Sequence, residues 1–381
     1  MQIPFRLNAA LDVRRSAGML LALGFSTVVM VGTPFLIPEV AAEYSVGLAI
    51  ASLVGVCQLG GFAIGSWVSG RFLTPKRNVL IFALVVAIVV NAASALVPPI
   101  ALLLSLRFIN GLALGVITWF AWANAFGQPK TMSRVAVVGP VIGVVATPAV
   151  AIVIDQFGLA GLFLMLAVLP VVPLAFVSGV PTGIKQERAA RHKSVLTARV
   201  VLIALTLFSV GGSAVFQFGV TIAAQELGLA ASAVAIGYTA NSIVSIPSAA
   251  WKGRRTIPSP WMALTALCAF LMATAFSTPL FFVAVTAWGF CYWMAIPGVF
   301  DVLAKASAYP AERAGDAQAM MALGRVVGPF VGGVLIESSG SLTLGIVGAA
   351  LMLIAAAAVF AVREQTEATG QSVTATGSER R

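Results

Sequence analysis

Twelve long apolar segments separated by short polar connections restrict the fold of this chain more than any other feature of its sequence. A helix needs about 20 apolar residues to cross the hydrocarbon core of a bilayer, and these segments have roughly that length. The composition agrees, because 60% of the 381 residues are hydrophobic and only 9% are charged, whereas a soluble domain is about 25% charged. The sequence therefore predicts an all-α, polytopic membrane protein. Its membrane-spanning helices are predicted at residues 17–39, 47–69, 78–97, 99–122, 133–156, 159–180, 198–223, 230–250, 260–277, 279–302, 317–337 and 341–362.

Basic residues occur on every second connection between the apolar segments. All but two of the 23 Lys and Arg residues lie in the N-terminal segment, in the connections that follow spans 2, 4, 6, 8 and 10, or in the C-terminal tail. Because basic flanks stay on the cytoplasmic side of a membrane, both termini are predicted to be cytoplasmic, with the chain in the inner or plasma membrane. This distribution accounts for the net charge of +10 without a nucleic-acid partner.

Similar short motifs recur in the two halves of the chain. Residues 139–143 read G-P-V-I-G in span 5, and residues 328–332 read G-P-F-V-G in span 11. Parallel repeats of six spans are a known transporter architecture, in which the binding site lies between the halves near the middle of the membrane. The sequence thus predicts two pseudo-symmetric six-helix bundles. The expected domains are an N-terminal bundle at 1–180, a cytoplasmic linker at 181–197, a C-terminal bundle at 198–362 and a disordered cytoplasmic tail at 363–381.

The most complete motif is G-R-V-V-G-P-F-V-G-G at residues 324–333. It resembles the antiporter-type pattern G-x-x-x-G-P-x-x-G-G of the major facilitator superfamily and matches every fixed position. The family usually carries this pattern in span 5, where the present chain has only the shorter motif of residues 139–143. A proline removes a backbone donor and bends a helix, and glycines four residues apart let helices approach closely. The segment therefore suits either a helix that rocks against the opposite half or an ordinary kinked packing helix.

A second segment, R-F-I-N-G-L-A-L-G at residues 107–115, resembles the family's R-x-x-x-G-x-x-x-G segment in span 4. Its Arg107, Gly111 and Gly115 are four residues apart and share one helix face. Arg107 lies about 12 Å inside its span at a rise of about 1.5 Å per residue. The resemblance implies a role in proton coupling, and structural pairing with carbonyl groups or a neighbouring helix is the alternative. The residues assigned to conformational motifs are Gly111, Gly115, Gly139, Pro140, Gly143, Gly324, Gly328, Pro329, Gly332 and Gly333.

The loop G-S-W-V-S-G-R at residues 65–71 resembles a third family motif, with one departure. The family usually has an aspartate where Ser69 stands, so the charge relay of the family cannot form here in its usual way. A plain basic loop on the cytoplasmic side explains the same residues. This loop therefore adds little to the resemblance, which otherwise extends from span 1 to span 12.

Charged residues inside the predicted spans are few and of one sign. Arg107 and Arg325 lie within spans, and no Asp or Glu lies in the middle of any span. Because a buried cation needs a countercharge, this pattern favours a neutral or anionic substrate. Arg325 is predicted to contact an anion from the C-terminal half, opposite Arg107, or else to extend to the membrane interface. Proton coupling would use a carboxylate near a span end, for which Asp301 and Glu39 are the candidates.

Uncharged polar residues within the spans are candidates to line a cavity. Such side chains also commonly connect one membrane helix to another, which is the alternative for each of them. Asn110, Gln217 and Asn241 are favoured. The complete set of predicted substrate and coupling residues is Arg107, Asn110, Arg325, Gln217, Asn241 and Asp301.

The resemblance implies a secondary active transporter that moves a small organic molecule by alternating access. Its motifs favour efflux by antiport, with protons as the expected coupling ion. Uptake or exchange of a small organic anion is the alternative within transport, and a non-transporting receptor or assembly factor is the alternative outside it. With one histidine and three scattered cysteines, no catalytic or metal site is predicted, nor is a cofactor. The expected partners are the substrate, the lipid bilayer and protons, and the protein is expected to be a monomer.

Overall fold

All regular structure in the computed structural model is helical over the residues it describes, which are 5–125, 129–180, 194–250, 257–307 and 310–378. The prediction of an all-α fold is confirmed. A short 3₁₀ helix at Val177–Gly179 follows the sixth α-helix. The α-helices are α1 (Phe5–Tyr44), α2 (Leu48–Phe72), α3 (Arg77–Ala95), α4 (Ile100–Ala125), α5 (Pro129–Val168), α6 (Val171–Ala175), α7 (Leu196–Phe216), α8 (Gly219–Leu227), α9 (Ala231–Ala250), α10 (Ser259–Thr274), α11 (Thr278–Lys305) and α12 (Pro310–Ser378).

Eight stretches of helix within the described residues are long and apolar enough to cross a membrane, so the chain is a multi-pass membrane protein. Two of the longest helices are interrupted by a glycine in the left-handed region, α5 at Gly158 (φ 61°) and α12 at Gly340 (φ 81°). Glycine adopts this conformation without a Cβ clash. The interruptions fall between predicted spans 5 and 6 and between predicted spans 11 and 12. They fit the count of twelve spans, which stays a prediction.

Contacts divide the chain into two compact units, and the division passes through α9. The first unit comprises Met1–Arg188 and Gly228–Ile243, and the second comprises Ala189–Leu227 and Val244–Arg381. The sequence predicts a single division at the linker, whereas contacts also place the first part of α9 with the first unit. The predicted domain limits stay a prediction, because most of the linker at 181–197 lies outside the described residues.

The first part of α9 joins the first unit through contacts with α1 and α5. The backbone N–H of Ser232 donates to Oδ2 of Asp155 on α5 at 3.1 Å, which satisfies one of the amide groups left without a partner at a helix start. Further along, Tyr238 packs edge to face against Phe35 of α1, with ring centroids 5.7 Å apart. These two contacts explain why the first part of α9 belongs with the first unit. Neither contact can be predicted from the local sequence of α9.

The last helix extends beyond the last predicted span. α12 continues to Ser378, and extending an existing helix avoids the cost of nucleating a new one. The side chains after Gln365 lie outside the described residues. The disorder predicted for the tail at 363–381 therefore stays a prediction.

Candidate functional site

A chain of buried hydrogen bonds connects four helices of the first unit. Nδ2 of Asn91 on α3 donates to Oδ1 of Asn110 on α4 at 3.1 Å, and Nδ2 of Asn110 reaches Oε1 of Gln58 on α2 at 3.5 Å. Nε2 of Gln58 donates to the hydroxyl of Thr33 on α1 at 3.2 Å. All four side chains are at most 1% exposed. Asn110 thus lies within the bundle and ties helices together, which is the alternative reading of such residues; its role as a substrate contact stays a prediction.

Arg107 lies next to this chain, one turn before Asn110 on α4, and is completely buried. Its Nη2 donates to the hydroxyl of Ser94 on α3 at 2.7 Å. Its guanidinium carbon lies 4.5 Å from the ring centroid of Phe163, in the second part of α5. Nε and Nη1 have no hydrogen-bond partner. A charged arginine inside a membrane bundle costs several kcal/mol unless it is paired, and the described partners of Arg107 use only part of its donors.

The glycines that follow Arg107 bring α4 against α2. A Cβ added to Gly111 would lie 2.9 Å from the carbonyl carbon of Gln58, and one added to Gly115 would lie 2.7 Å from the backbone nitrogen of Ser66. On the facing helix, Gly61 and Gly65 are equally close to the backbone of α4. The motif at 107–115 therefore has a packing role within one unit. Sequence reasoning overlooked the partner pair, although Gly61 and Gly65 show the same four-residue spacing.

The motif at residues 324–333 makes a comparable contact in the second unit. A Cβ on Gly324, Gly328 or Gly332 would lie 2.6, 2.7 or 2.6 Å from a carbonyl oxygen of α7. The hydroxyl oxygen of Ser213 on α7 lies 3.2 Å from the carbonyl oxygen of Gly324, and the adjoining Pro329 and Gly333 are buried. The glycines of this motif pack against α7 within their own unit, as expected for a packing helix. Movement of this helix against the other half of the protein stays a prediction.

The shorter motif at residues 139–143 faces a different neighbour. A Cβ added to Gly143 would lie 2.7 Å from the hydroxyl oxygen of Ser242 on the first part of α9. Gly139 has open space around its Cβ position, and Pro140 is half-buried. Of these three residues, Gly143 is the one that lies close to another helix, through the side chain of Ser242.

Arg325 lies in the second unit and, unlike Arg107, is exposed. Its Nη2 donates to the hydroxyl of Tyr292 on α11 at 3.0 Å. Tyr292 stacks on Phe208 of α7, with centroids 6.1 Å apart and an interplanar angle of 20°. One turn before Tyr292, Trp288 packs against Phe216 with centroids 5.4 Å apart. The second unit therefore presents an accessible guanidinium beside an aromatic row.

The other predicted site residues are dispersed. Gln217 caps the C-terminus of α7, and its Oε1 is buried without a partner. Asn241 is half-buried on the part of α9 that belongs to the first unit. Asp301 pairs with Lys305 at 2.7 Å on the exposed end of α11. Arg107, Asn110 and Asn241 thus fall in the first unit, and Gln217, Asp301 and Arg325 fall in the second.

Ser69 occupies the position where a charge relay would need an aspartate. It is buried, and its hydroxyl donates to the carbonyl of Gly65 one turn earlier at 2.6 Å. The nearby Arg71 lies over the ring of Trp67, with its guanidinium carbon 4.4 Å from the ring centroid. The hydroxyl of Ser69 is thus satisfied within its own helix.

Residues 17–322 match the family model described as Major Facilitator Superfamily. No curated protein sequence matches the chain.

Several solved structures share the fold. A bacterial homologue of the human lysosomal transporter Spinster, in an inward-facing and occupied conformation, is similar with a TM-score of 0.72 and 12% identity over 96% of this chain and 98% of that one. A nucleoside transporter, NupG, gives a TM-score of 0.66 and 16% identity over 90% and 98% of the two chains. The human organic anion transporter MFSD10 gives 0.64 and 15% identity over 94% and 100%.

Proposed function

This chain belongs to the major facilitator superfamily, and from that premise we propose that it is a secondary active transporter that moves a small organic molecule by alternating access. Membership makes it a membrane transport protein and not an enzyme. The energy would come from an ion gradient, with protons as the coupling ion.

The substrate we propose is a small organic anion, and the observation that carries this choice is the environment of Arg325. An exposed guanidinium beside the half-buried ring of Tyr292 offers a charged donor for a carboxylate or similar group and one aromatic ring for an apolar body, while the buried Phe208 supports that ring from behind. The described acidic residues lie toward the ends or interruptions of their helices, so a cationic substrate would lack a countercharge there. One solved structure of similar fold belongs to a human organic anion transporter, which supports the same substrate class.

For the coupling proton we propose the acidic residues at the end of α1 and of the first part of α5. Glu39 is half-buried at the end of α1 and lies near the carboxylates of Asp155 and Glu43; a carboxylate that is both partly buried and close to other negative charges is suited to take up a proton. Asp301, the other candidate, is already neutralised by Lys305 in an exposed ion pair. Proton movement inward through this group would drive efflux of the substrate; uptake or exchange is the alternative direction.

Flux measurements in proteoliposomes test the proposal. We expect organic anions with an aromatic body to be transported in response to an imposed pH gradient, and we expect Arg325→Gln to reduce that flux about tenfold or more, because a charge-assisted hydrogen bond contributes about 1.5–3 kcal/mol. Arg199→Gln is the matched control, since Arg199 is exposed on α7 and donates to Ser194; its flux should equal that of the wild type.

Three outcomes would contradict parts of the proposal. Transport of cations alone, insensitive to Arg325→Gln, would exclude the substrate class. Flux that ignores the pH gradient would exclude proton coupling. Silence with a broad panel of anionic, neutral and cationic compounds would favour a receptor or assembly factor on the same scaffold.

A further inference from the structure

Arg107 carries more hydrogen-bond donors than its surroundings use. A guanidinium has five N–H groups; on Arg107 one N–H of Nη2 has a partner, whereas Nε and Nη1, which carry three N–H groups between them, have none. Nη2 is used by Ser94, and the ring of Phe163 covers one face of the guanidinium. The open donors therefore lie along the edge of the group.

No described protein group neutralises this charge. Ser94, the one hydrogen-bond partner of Arg107, is neutral and donates its own hydroxyl hydrogen to the carbonyl of Val90 at 2.7 Å. The described carboxylates of the first unit, Glu39, Glu43 and Asp155, lie near helix ends or interruptions, and none of them pairs with Arg107. A guanidinium does not deprotonate in a protein, so its charge persists.

The surroundings also restrict what could bind there. Arg107, Ser94, Asn91 and Phe163 are all completely buried, so a ligand at this guanidinium must be small. Water would satisfy the open donors but leave the positive charge uncompensated in a low-dielectric interior, where an unpaired charge is most costly. A monovalent anion satisfies the donors and removes the net charge together.

We propose that the interior of the first unit holds a small inorganic anion of halide size, bound by the Nε–H and Nη1–H groups of Arg107. The anion acts as a fixed counterion for the guanidinium and stabilises the packing of α3, α4 and the second part of α5. The unpartnered Oδ1 of Asn91, an acceptor one turn before Ser94, is suited to receive a hydrogen bond from a water molecule that accompanies the anion. This site is separate from the exposed Arg325 and does not depend on the proposed transport function.

Thermal unfolding of the purified protein tests the site. We expect sodium chloride and sodium bromide to raise the melting temperature in a saturable manner relative to sodium gluconate at equal ionic strength, because a ligand that binds only the folded state stabilises it. Arg107→Gln should abolish the difference between the salts. Arg325→Gln, which removes an exposed arginine from the other unit, should keep it.

A second measurement does not require a variant to fold. Crystals of the wild-type protein grown in bromide should show an anomalous peak within hydrogen-bond distance of Nε or Nη1 of Arg107. An equal halide response in Arg107→Gln would overturn the proposal, as would a bromide crystal with a water molecule or nothing at this position. The two proposals fail separately. Unchanged transport in Arg325→Gln would contradict the proposed substrate site alone, whereas an unchanged halide response in Arg107→Gln would contradict the halide site alone.

Discussion

At the scale of single residues, several buried polar side chains of the first unit form hydrogen bonds with one another. Asn110 forms hydrogen bonds with both Asn91 and Gln58, and Gln58 in turn donates to Thr33. Hydrogen bonds between membrane helices contribute about 0.6 kcal/mol on average, so no single bond here is strong. Their value lies in satisfying several buried amides at once, because each unsatisfied amide costs more than a bond gains.

Replacement of Asn110 tests this network. Asn110→Ala should lower the free energy of unfolding in detergent by about 1–2 kcal/mol, because Gln58 Oε1 and one donor of Asn91 lose a partner inside the bundle. Ser105→Ala is the control, since Ser105 is an exposed residue of the same helix that bonds only the carbonyl of Ala101, one turn earlier, at 2.9 Å. Its cost should stay below about 0.5 kcal/mol. Equal effects of the two substitutions would show that the network adds nothing to stability.

The two arginines within the spans show which features of the candidate site can be predicted from sequence. Arg107 and Arg325 stand out in the sequence as cations in apolar spans, and their functional roles stay predictions. Their environments are opposite, however: Arg107 is sealed inside one unit and Arg325 is exposed beside Tyr292. The burial and partners of Arg107 depend on other helices, namely the preceding α3 and the more distant second part of α5, so the local sequence pattern of α4 cannot predict them.

At the scale of helices, small residues decide which pairs pack most closely. Gly61 and Gly65 on α2 face Gly111 and Gly115 on α4, and each is too near the opposite backbone to accept a side chain. Between membrane helices there is little hydrophobic driving force, so association depends on such close approach. The glycine-rich segment of α12 meets α7 in the same way.

A single methyl group tests the α2–α4 contact. Gly111→Ala should destabilise the protein by about 1–3 kcal/mol, the usual cost of overpacking, because its Cβ would lie 2.9 Å from the carbonyl carbon of Gln58. Gly315→Ala is the matched control: Gly315 is also helical, but the space around its Cβ position is open. That substitution should be neutral or stabilising by up to about 1 kcal/mol. Chemical unfolding of both variants would reveal a wrong assignment if Gly111→Ala were tolerated equally well.

At the scale of the whole molecule, the distribution of charge along the chain predicts its orientation. Reporter tags at each terminus should be accessible only from the cytoplasmic side of intact cells, because the basic connections all fall on the side of the termini. Permeabilised cells, in which both tags become accessible, provide the control. Labelling of either tag from outside would require an odd number of spans or the opposite orientation.

What the sequence determined by itself is the kind of molecule: an all-helical, multi-pass membrane protein of a transporter family. Hydropathy and glycine spacing are properties of each segment alone, and a bilayer imposes its thickness on every segment separately. Only the tertiary structure decided that α9 divides between the units, that the motif at 324–333 packs on α7, and that Arg107 is buried without a countercharge. These features come from contacts between helices distant in the chain, which no single segment encodes.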